Sequence, residues 1–166
     1  MSQILLKGNP IHTTGNLPAI GSQAPDFNLT TDALEGKTLK DFAGKKVVLN
    51  IYPSIDTGVC AMSVRKFNQS ASEMPNTIVV GISMDTPFAL KRFCGAEGIE
   101  KVLSTSLIRD PAFGTAYGVG ILDGGLQGLM SRSIVILDEK GKVIYTEQVP
   151  ETTQEPDYAS AINALK

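Results

Sequence analysis

Residues 47 to 60 read V-V-L-N-I-Y-P-S-I-D-T-G-V-C. The opening V-V-L-N-I-Y is an apolar, β-branched run with one polar residue, Asn50, and it reads as a central strand buried in a sheet. Pro53 ends that strand, because proline has no amide to give to the ladder. From Gly58 to about Glu73 there is no proline, and Val59, Met62, Val64 and Phe67 can share one helical face. Pro75-Asn76 closes that helix, so the segment is a strand turning into a helix.

Working outward, T-I-V-V-G-I-S-M (77 to 84) reads as a second buried strand. Thr86-Pro87 has the chemistry of an N-cap and first helical residue, for a helix running to Gly95 with Cys94 in its last turn. A third strand is expected over Val102 to Leu107 and a short helix over Pro111 to Tyr117. The glycine-rich stretch 118 to 128 is expected to be a mobile loop. S-I-V-I-L-D and K-V-I-Y-T-E-Q-V then form two strands joined by the turn residues E-K-G-K, and a final helix fits Pro156 to Leu165. Residues 1 to 46, rich in Gly, Pro, Asn and Thr, read as a peripheral hairpin and loops ahead of the main sheet. This order describes an α/β fold: a thioredoxin-like mixed sheet with helices on both faces and an N-terminal β-hairpin extension.

The chain has 166 residues, of which 42% are hydrophobic and 19% charged, enough to build one core, so residues 1 to 166 are expected to be a single domain. A net charge of −2 without basic runs argues against nucleic acid as a partner. Only three consecutive apolar residues precede Lys7, and no run can span a bilayer, so no membrane association and a cytoplasmic location are expected. Cys60 and Cys94 are too few for a disulfide scaffold. With His12 the only histidine, a structural zinc site lacks ligands, and neither a metal nor a cofactor is expected.

A thiol is a good nucleophile at neutral pH only when its thiolate is stabilised, and the first turn of a helix offers unpaired N–H groups and a positive dipole end. Cys60 is expected in that turn. Pro53 sets where the chain leaves the strand, Gly58 permits close backbone approach, and Thr57 puts a hydroxyl three residues before the sulfur. That hydroxyl suits two roles: capping the helix, or hydrogen-bonding both the sulfur and a bound hydroperoxide. Attack on a peroxide leaves a sulfenic acid and expels an alkoxide or hydroxide, so a cation should stand nearby. Arg65, Arg92, Arg109 and Arg132 compete for that place, and Arg132 is favoured because it opens a central strand among apolar neighbours.

P-x-x-x-T-x-x-C at a strand-to-helix turn resembles the peroxiredoxin signature, with Pro53, Thr57 and Cys60 in its three fixed places. The string L-N-I-Y-P-S-I-D-T-G-V-C-A-M-S-V-R-K-F-N, the later R-F-C-G-A-E-G and the T-x-E-P-D-Y near the end resemble the thiol peroxidase branch of the atypical two-cysteine peroxiredoxins. The resemblance implies a peroxide-attacking Cys60, a resolving Cys94 in the same subunit that forms an intrachain disulfide with it, and the family's arginine at Arg132. It also implies thioredoxin as reductant, homodimers, and activity on alkyl hydroperoxides as well as hydrogen peroxide.

Other readings stand beside this one. A buried cysteine commonly acts as a small hydrophobe, and Cys94 in the last turn of an amphipathic helix could simply pack on the sheet. If both cysteines sit on intact helices, their Cα atoms can exceed the roughly 7 Å bridging limit, so disulfide formation calls for local unwinding near Gly58, Gly95 or Gly98. A thiol–disulfide oxidoreductase would favour C-x-x-C, whereas Thr57 stands where the first cysteine would be. A non-catalytic binding module on a thioredoxin-like scaffold would leave the thiol unperturbed, near 8.5. His12 reads as structural, and the glycine-rich stretch lacks a phosphate-binding pattern.

Overall fold

In the computed structural model, which describes residues 1 to 166, the V-V-L-N-I run lies in strand β5 (Lys46–Ile51), buried at every position after Lys46. The hairpin β1 (Ser2–Leu6) and β2 (Asn9–Thr13) precedes it, as do two short strands, β3 (Leu29–Thr31) and β4 (Gly36–Lys37). After β5 come α1 (Gly58–Ser70), β6 (Thr77–Ser83), α2 (Pro87–Glu97), β7 (Val102–Ser106) and α3 (Phe113–Ala116). The chain closes with β8 (Ser133–Leu137), β9 (Val143–Gln148) and α4 (Tyr158–Asn163).

Seven strands form one mixed sheet in the order β4-β3-β7-β6-β5-β8-β9, apart from the two-stranded β1-β2 hairpin. β5, β6 and β7 run parallel, and β8 joins β5 antiparallel. Side chains alternate across β5 with the period of two that a strand imposes. Val47, Leu49 and Ile51 enter a core with Leu29, Phe42 and Phe113, while Val48 and Tyr52 enter a second core with Val64, Phe67 and Leu90. The helices α1, α2 and α4 cover the second face. The first is covered by the one-turn α3 and the N-terminal loops. Burying a side chain such as Phe67 contributes roughly 1.5–3 kcal/mol, and this is what holds α1 to the sheet.

Several expectations need correction. Residues 29 to 37 are not peripheral, because β3 pairs antiparallel with β7 and extends the main sheet. The helix begun by Thr86 and Pro87 runs past Gly95 to Glu97 and stops at Gly98, whose φ of 65° suits the left-handed C-cap. Both α3 and α4 are shorter than their sequence patterns indicate. The glycine-rich stretch is tied to the N-terminal hairpin: Thr14 N–H donates to Gly120 O, and His12 pairs with Asp123 at 2.7 Å. Gly118 has a φ of 71°, and a Cβ there would collide with the Asn16 carbonyl, so only glycine fits. No helix is long and apolar enough to cross a membrane.

Candidate active site

Parallel strands leave their carboxyl ends at one edge of the sheet, where β5 runs through Pro53 into α1 and β6 into α2. The connecting loop is pinned by Asp85, just beyond β6. Its Oδ1 accepts from Ser54 Oγ at 2.8 Å, and its Oδ2 from the Ile55 amide at 2.7 Å and Ser83 Oγ at 2.6 Å. The sequence signal for Asp85 is only a short acidic side chain at the carboxyl end of a buried strand, a pattern that does not by itself single it out.

Cys60 is the third residue of α1 and is fully buried. Amides of the first helical turn have no intrahelical acceptor, so the sulfur sits at the positive end of a helix of 13 residues. Behind it, the Cys60 carbonyl accepts from Ser63 Oγ at 2.8 Å, and Ser63 Oγ accepts from Asn50 Nδ2 at 3.2 Å. Asn50, the polar residue within the V-V-L-N-I-Y run, thus tethers α1 to β5.

Arg132 immediately precedes β8 and is 2% exposed. Its Nη1 donates to Cys60 Sγ at 3.2 Å. Nε and Nη2 both donate to the carbonyl oxygen of Thr152, at 3.1 and 2.9 Å. None of the ion pairs in the protein includes Arg132. A buried cation without a carboxylate is costly, and here its donors are taken up by the Thr152 carbonyl and the Cys60 sulfur. The contact with Thr152 carries no side-chain signature, since any residue supplies a carbonyl, and sequence reasoning missed it.

Thr57 occupies the N-cap position with extended backbone but makes no side-chain cap bond. Its hydroxyl donates to Ser54 O at 3.1 Å and not to the Cys60 sulfur, which corrects both roles given to it as a donor or cap. With its proton committed to Ser54, the oxygen is left as an acceptor. Thr57 and Arg132 line one cleft with the buried Pro53, Gly58 and Thr152, about 230 Å³ in volume. Leu6, Lys7 and Leu126 form its outer wall, so the N-terminal hairpin and the glycine-rich stretch both reach the site.

Cys94 lies elsewhere. It is half-buried, its Sγ is 3.3 Å from Ser104 Oγ on β7, and both cysteines are free thiols. Burial pushes the Cys94 thiol above its ordinary value, with the Ser104 hydroxyl acting in the opposite sense. Arg65 bridges α1 to Glu97 of α2, Arg92 pairs with Asp56, and Arg109 reaches only the Leu34 carbonyl. Of the four candidate arginines, Arg132 alone touches a cysteine. No group of three or more His, Cys, Asp or Glu side chains is placed to hold a metal ion.

Residues 19–162 match the Redoxin family model. The chain is 52% identical to thiol peroxidases of Mycobacterium tuberculosis strain H37Rv and of Mycobacterium bovis over 165 residues, 99% of each chain. A peroxiredoxin-like protein from Aquifex aeolicus superimposes with a TM-score of 0.93 at 36% identity, covering 99% of this chain and 96% of that one. A thiol peroxidase from Chromobacterium violaceum shares the fold, with a TM-score of 0.91 at 22% identity over 98% of this chain and 94% of its own. The chain belongs to the Redoxin family and, within it, to the thiol peroxidases, enzymes that reduce peroxides at a thiol.

Proposed function

We propose that this thiol peroxidase reduces hydrogen peroxide and alkyl hydroperoxides with Cys60 as the attacking sulfur, and that residues 1 to 166 work as one domain, hairpin included. The observation that carries this reading is the Arg132 guanidinium 3.2 Å from Cys60 Sγ at the start of α1, with no carboxylate paired to it. The thiolate attacks the terminal oxygen of ROOH, an S–O bond forms as the O–O bond breaks, and RO⁻ leaves and takes a proton to become an alcohol or water. Arg132 then faces the departing oxygen as well as the sulfur. Thr57 Oγ1, whose proton goes to Ser54, accepts from the peroxide O–H, and Pro53 shields the sulfur from bulk water.

In the second step the Cys94 thiolate attacks the Cys60 sulfenic acid and expels hydroxide, which takes a proton to become water, giving an intrachain disulfide that thioredoxin reduces to two thiols. The sulfur partners stand on β7 and ahead of β8, and β6 and β5 lie between those strands. That is three strand spacings, roughly 14 Å between backbones, so the step includes local unwinding of α2, α1 or both. A homodimer in the cytoplasm, where thioredoxin is available, completes the reading.

The test is NADPH consumption with thioredoxin and thioredoxin reductase, comparing hydrogen peroxide with cumene hydroperoxide. Turnover with both is expected, and Cys60→Ser should abolish it. Turnover that survives Cys60→Ser refutes the assignment of Cys60. After one equivalent of peroxide, mass spectrometry should find Cys60 joined to Cys94 within one chain, and an exclusively intermolecular bond refutes the resolving role of Cys94.

A further inference from the structure

The β1-β2 hairpin turns through Lys7 and Gly8, with φ of 52° and 81°. Two successive positive φ values make a type I′ turn, for which Asn-Gly is the usual pair, and lysine is an unfavourable first residue. Such a conformation persists when surrounding contacts enforce it. Here the enforcing group is the Glu151 carboxylate: Oε1 accepts from the Lys7 amide at 2.9 Å and Oε2 from the Gly8 amide at 3.0 Å. Oε1 also accepts from the Thr153 amide and hydroxyl, at 3.1 and 3.0 Å. Together these donors, the Gly8 amide foremost, hold the carboxyl at about 2.

The same hairpin is laced to the chain on both sides of Glu151. The Leu5 amide donates to Pro150 O at 2.7 Å, and the Thr152 amide donates to Leu5 O at 2.8 Å. The carbonyl of Thr152 is the acceptor that takes two donors from Arg132, whose remaining arm reaches Cys60. A short chain of contacts therefore runs from the hairpin turn through residues 150 to 152 to the guanidinium and the sulfur. Nothing else accepts from the Arg132 side chain, so the position of one peptide oxygen sets its orientation.

We propose that Glu151 is a positioning residue for peroxide reduction: by clamping the Lys7-Gly8 turn it fixes the Thr152 peptide, and through it the Arg132 guanidinium, against Cys60. The N-terminal hairpin is then a working part of the site, since its turn also brings Leu6 and Lys7 to the cleft wall. The inference rests on Cys60 as the attacking sulfur. Freeing the clamp lets the Thr152 carbonyl drift, and displacements on the order of 1 Å at a charged contact lower rates by tenfold to about a hundredfold.

The test compares the full-length wild type with Glu151→Ala and Glu151→Gln. The first readout is the pH dependence of Cys60 alkylation, followed by site-resolved mass spectrometry. The second is the rate constant for Cys60 oxidation by hydrogen peroxide. Glu151→Ala should slow oxidation about tenfold or more and move the Cys60 alkylation profile to higher pH. Glu151→Gln, which keeps one acceptor oxygen and the side-chain shape, should fall between Glu151→Ala and wild type. A purely structural role would lower thermal stability yet leave the alkylation profile at the wild-type position, and that result overturns the proposal. If Glu151→Ala does not fold, Glu151→Gln decides alone, and a wild-type rate and profile overturn it. The alkylation arm uses no peroxide, thioredoxin or Cys94, so it stands apart from the turnover assay for the proposed function.

Discussion

The sulfur of Cys94 hydrogen-bonds to the hydroxyl of Ser104 at 3.3 Å, so the second cysteine is held against β7 while Cys60 faces Arg132. Any disulfide between them begins by breaking the Cys94–Ser104 contact. The C-terminal half of α2 is held further by the two-pronged Arg65–Glu97 pair, with distances of 3.1 and 2.9 Å, and by the Arg65 guanidinium over Phe93.

Glu97→Gln should therefore favour opening of α2 and quicken disulfide formation after peroxide addition, at most about fivefold because the pair is on the surface. The rate of Cys60 oxidation should not change. Stopped-flow measurement of the two phases checks both statements, and a slower second phase counts against opening as the limiting event.

The raised Cys94 value sets a pH dependence. Burial, its largest cause, favours the neutral thiol in the folded protein, with Ser104 opposing. The stabilisation of the closed α2 is fully present below the ordinary thiol value and is lost as pH rises through the higher folded value. Alkylation of Cys94 in the folded protein should accordingly have its midpoint at higher pH than in an unfolded peptide containing Cys94. A midpoint equal to or below the peptide's would contradict the burial argument.

Arg132→Lys should not preserve function. Lysine keeps the charge but has one ammonium centre, which cannot hold the Thr152 carbonyl with two donors while reaching the sulfur with a third. Peroxide attack is expected to fall by at least about a hundredfold, as when a preorganised donor is removed from a reacting centre. Single-turnover kinetics with hydrogen peroxide report this directly, and a lysine variant within a few-fold of wild type would show that charge alone suffices.

Tyr52, fully buried beside β6, has a hydroxyl with no hydrogen-bond partner, and a Cβ on Gly81 would lie 3.2 Å from it. Burial, with Asp85, Cys60 and Cys94 adding to it and the nearby Ser83 hydroxyl acting in the opposite sense without reaching hydrogen-bond geometry, pushes the phenol far up, so it stays neutral. A buried hydroxyl without a partner is unfavourable by roughly 1–3 kcal/mol. Tyr52→Phe should thus be neutral or stabilising by about 1 kcal/mol in urea denaturation. A loss above about 1 kcal/mol would mean that the hydroxyl is paired in solution.

Most of the architecture was legible because it depends on local pattern. The unbroken run at 47 to 52, Pro53, and the Thr86-Pro87 cap identify strand, stop and helix start by backbone chemistry alone. β3 and β4 are not legible in the sequence because strands of three and two residues are too short to show alternation, and the pairing of β3 with β7 is non-local. The position of Thr57 at the helix start is legible in the sequence but its hydrogen bond is not, since the Ser54 carbonyl three residues back takes its proton.

By itself the sequence determined the strand-to-helix turn that carries Cys60, its Pro53 and Thr57 neighbours, and the alternation that builds two cores on one sheet. Each of these follows from residue types within a few positions of one another. The sequence favours Arg132 among four arginines by its place at the start of a central strand, but tertiary structure alone decided that the Thr152 carbonyl holds it against the sulfur and that the N-terminal hairpin walls the cleft. Those relationships join residues up to 144 positions apart, as Lys7 and Glu151 are, and run largely through backbone carbonyls and amides. Every residue carries the same backbone groups, so only the fold selects which of them meet.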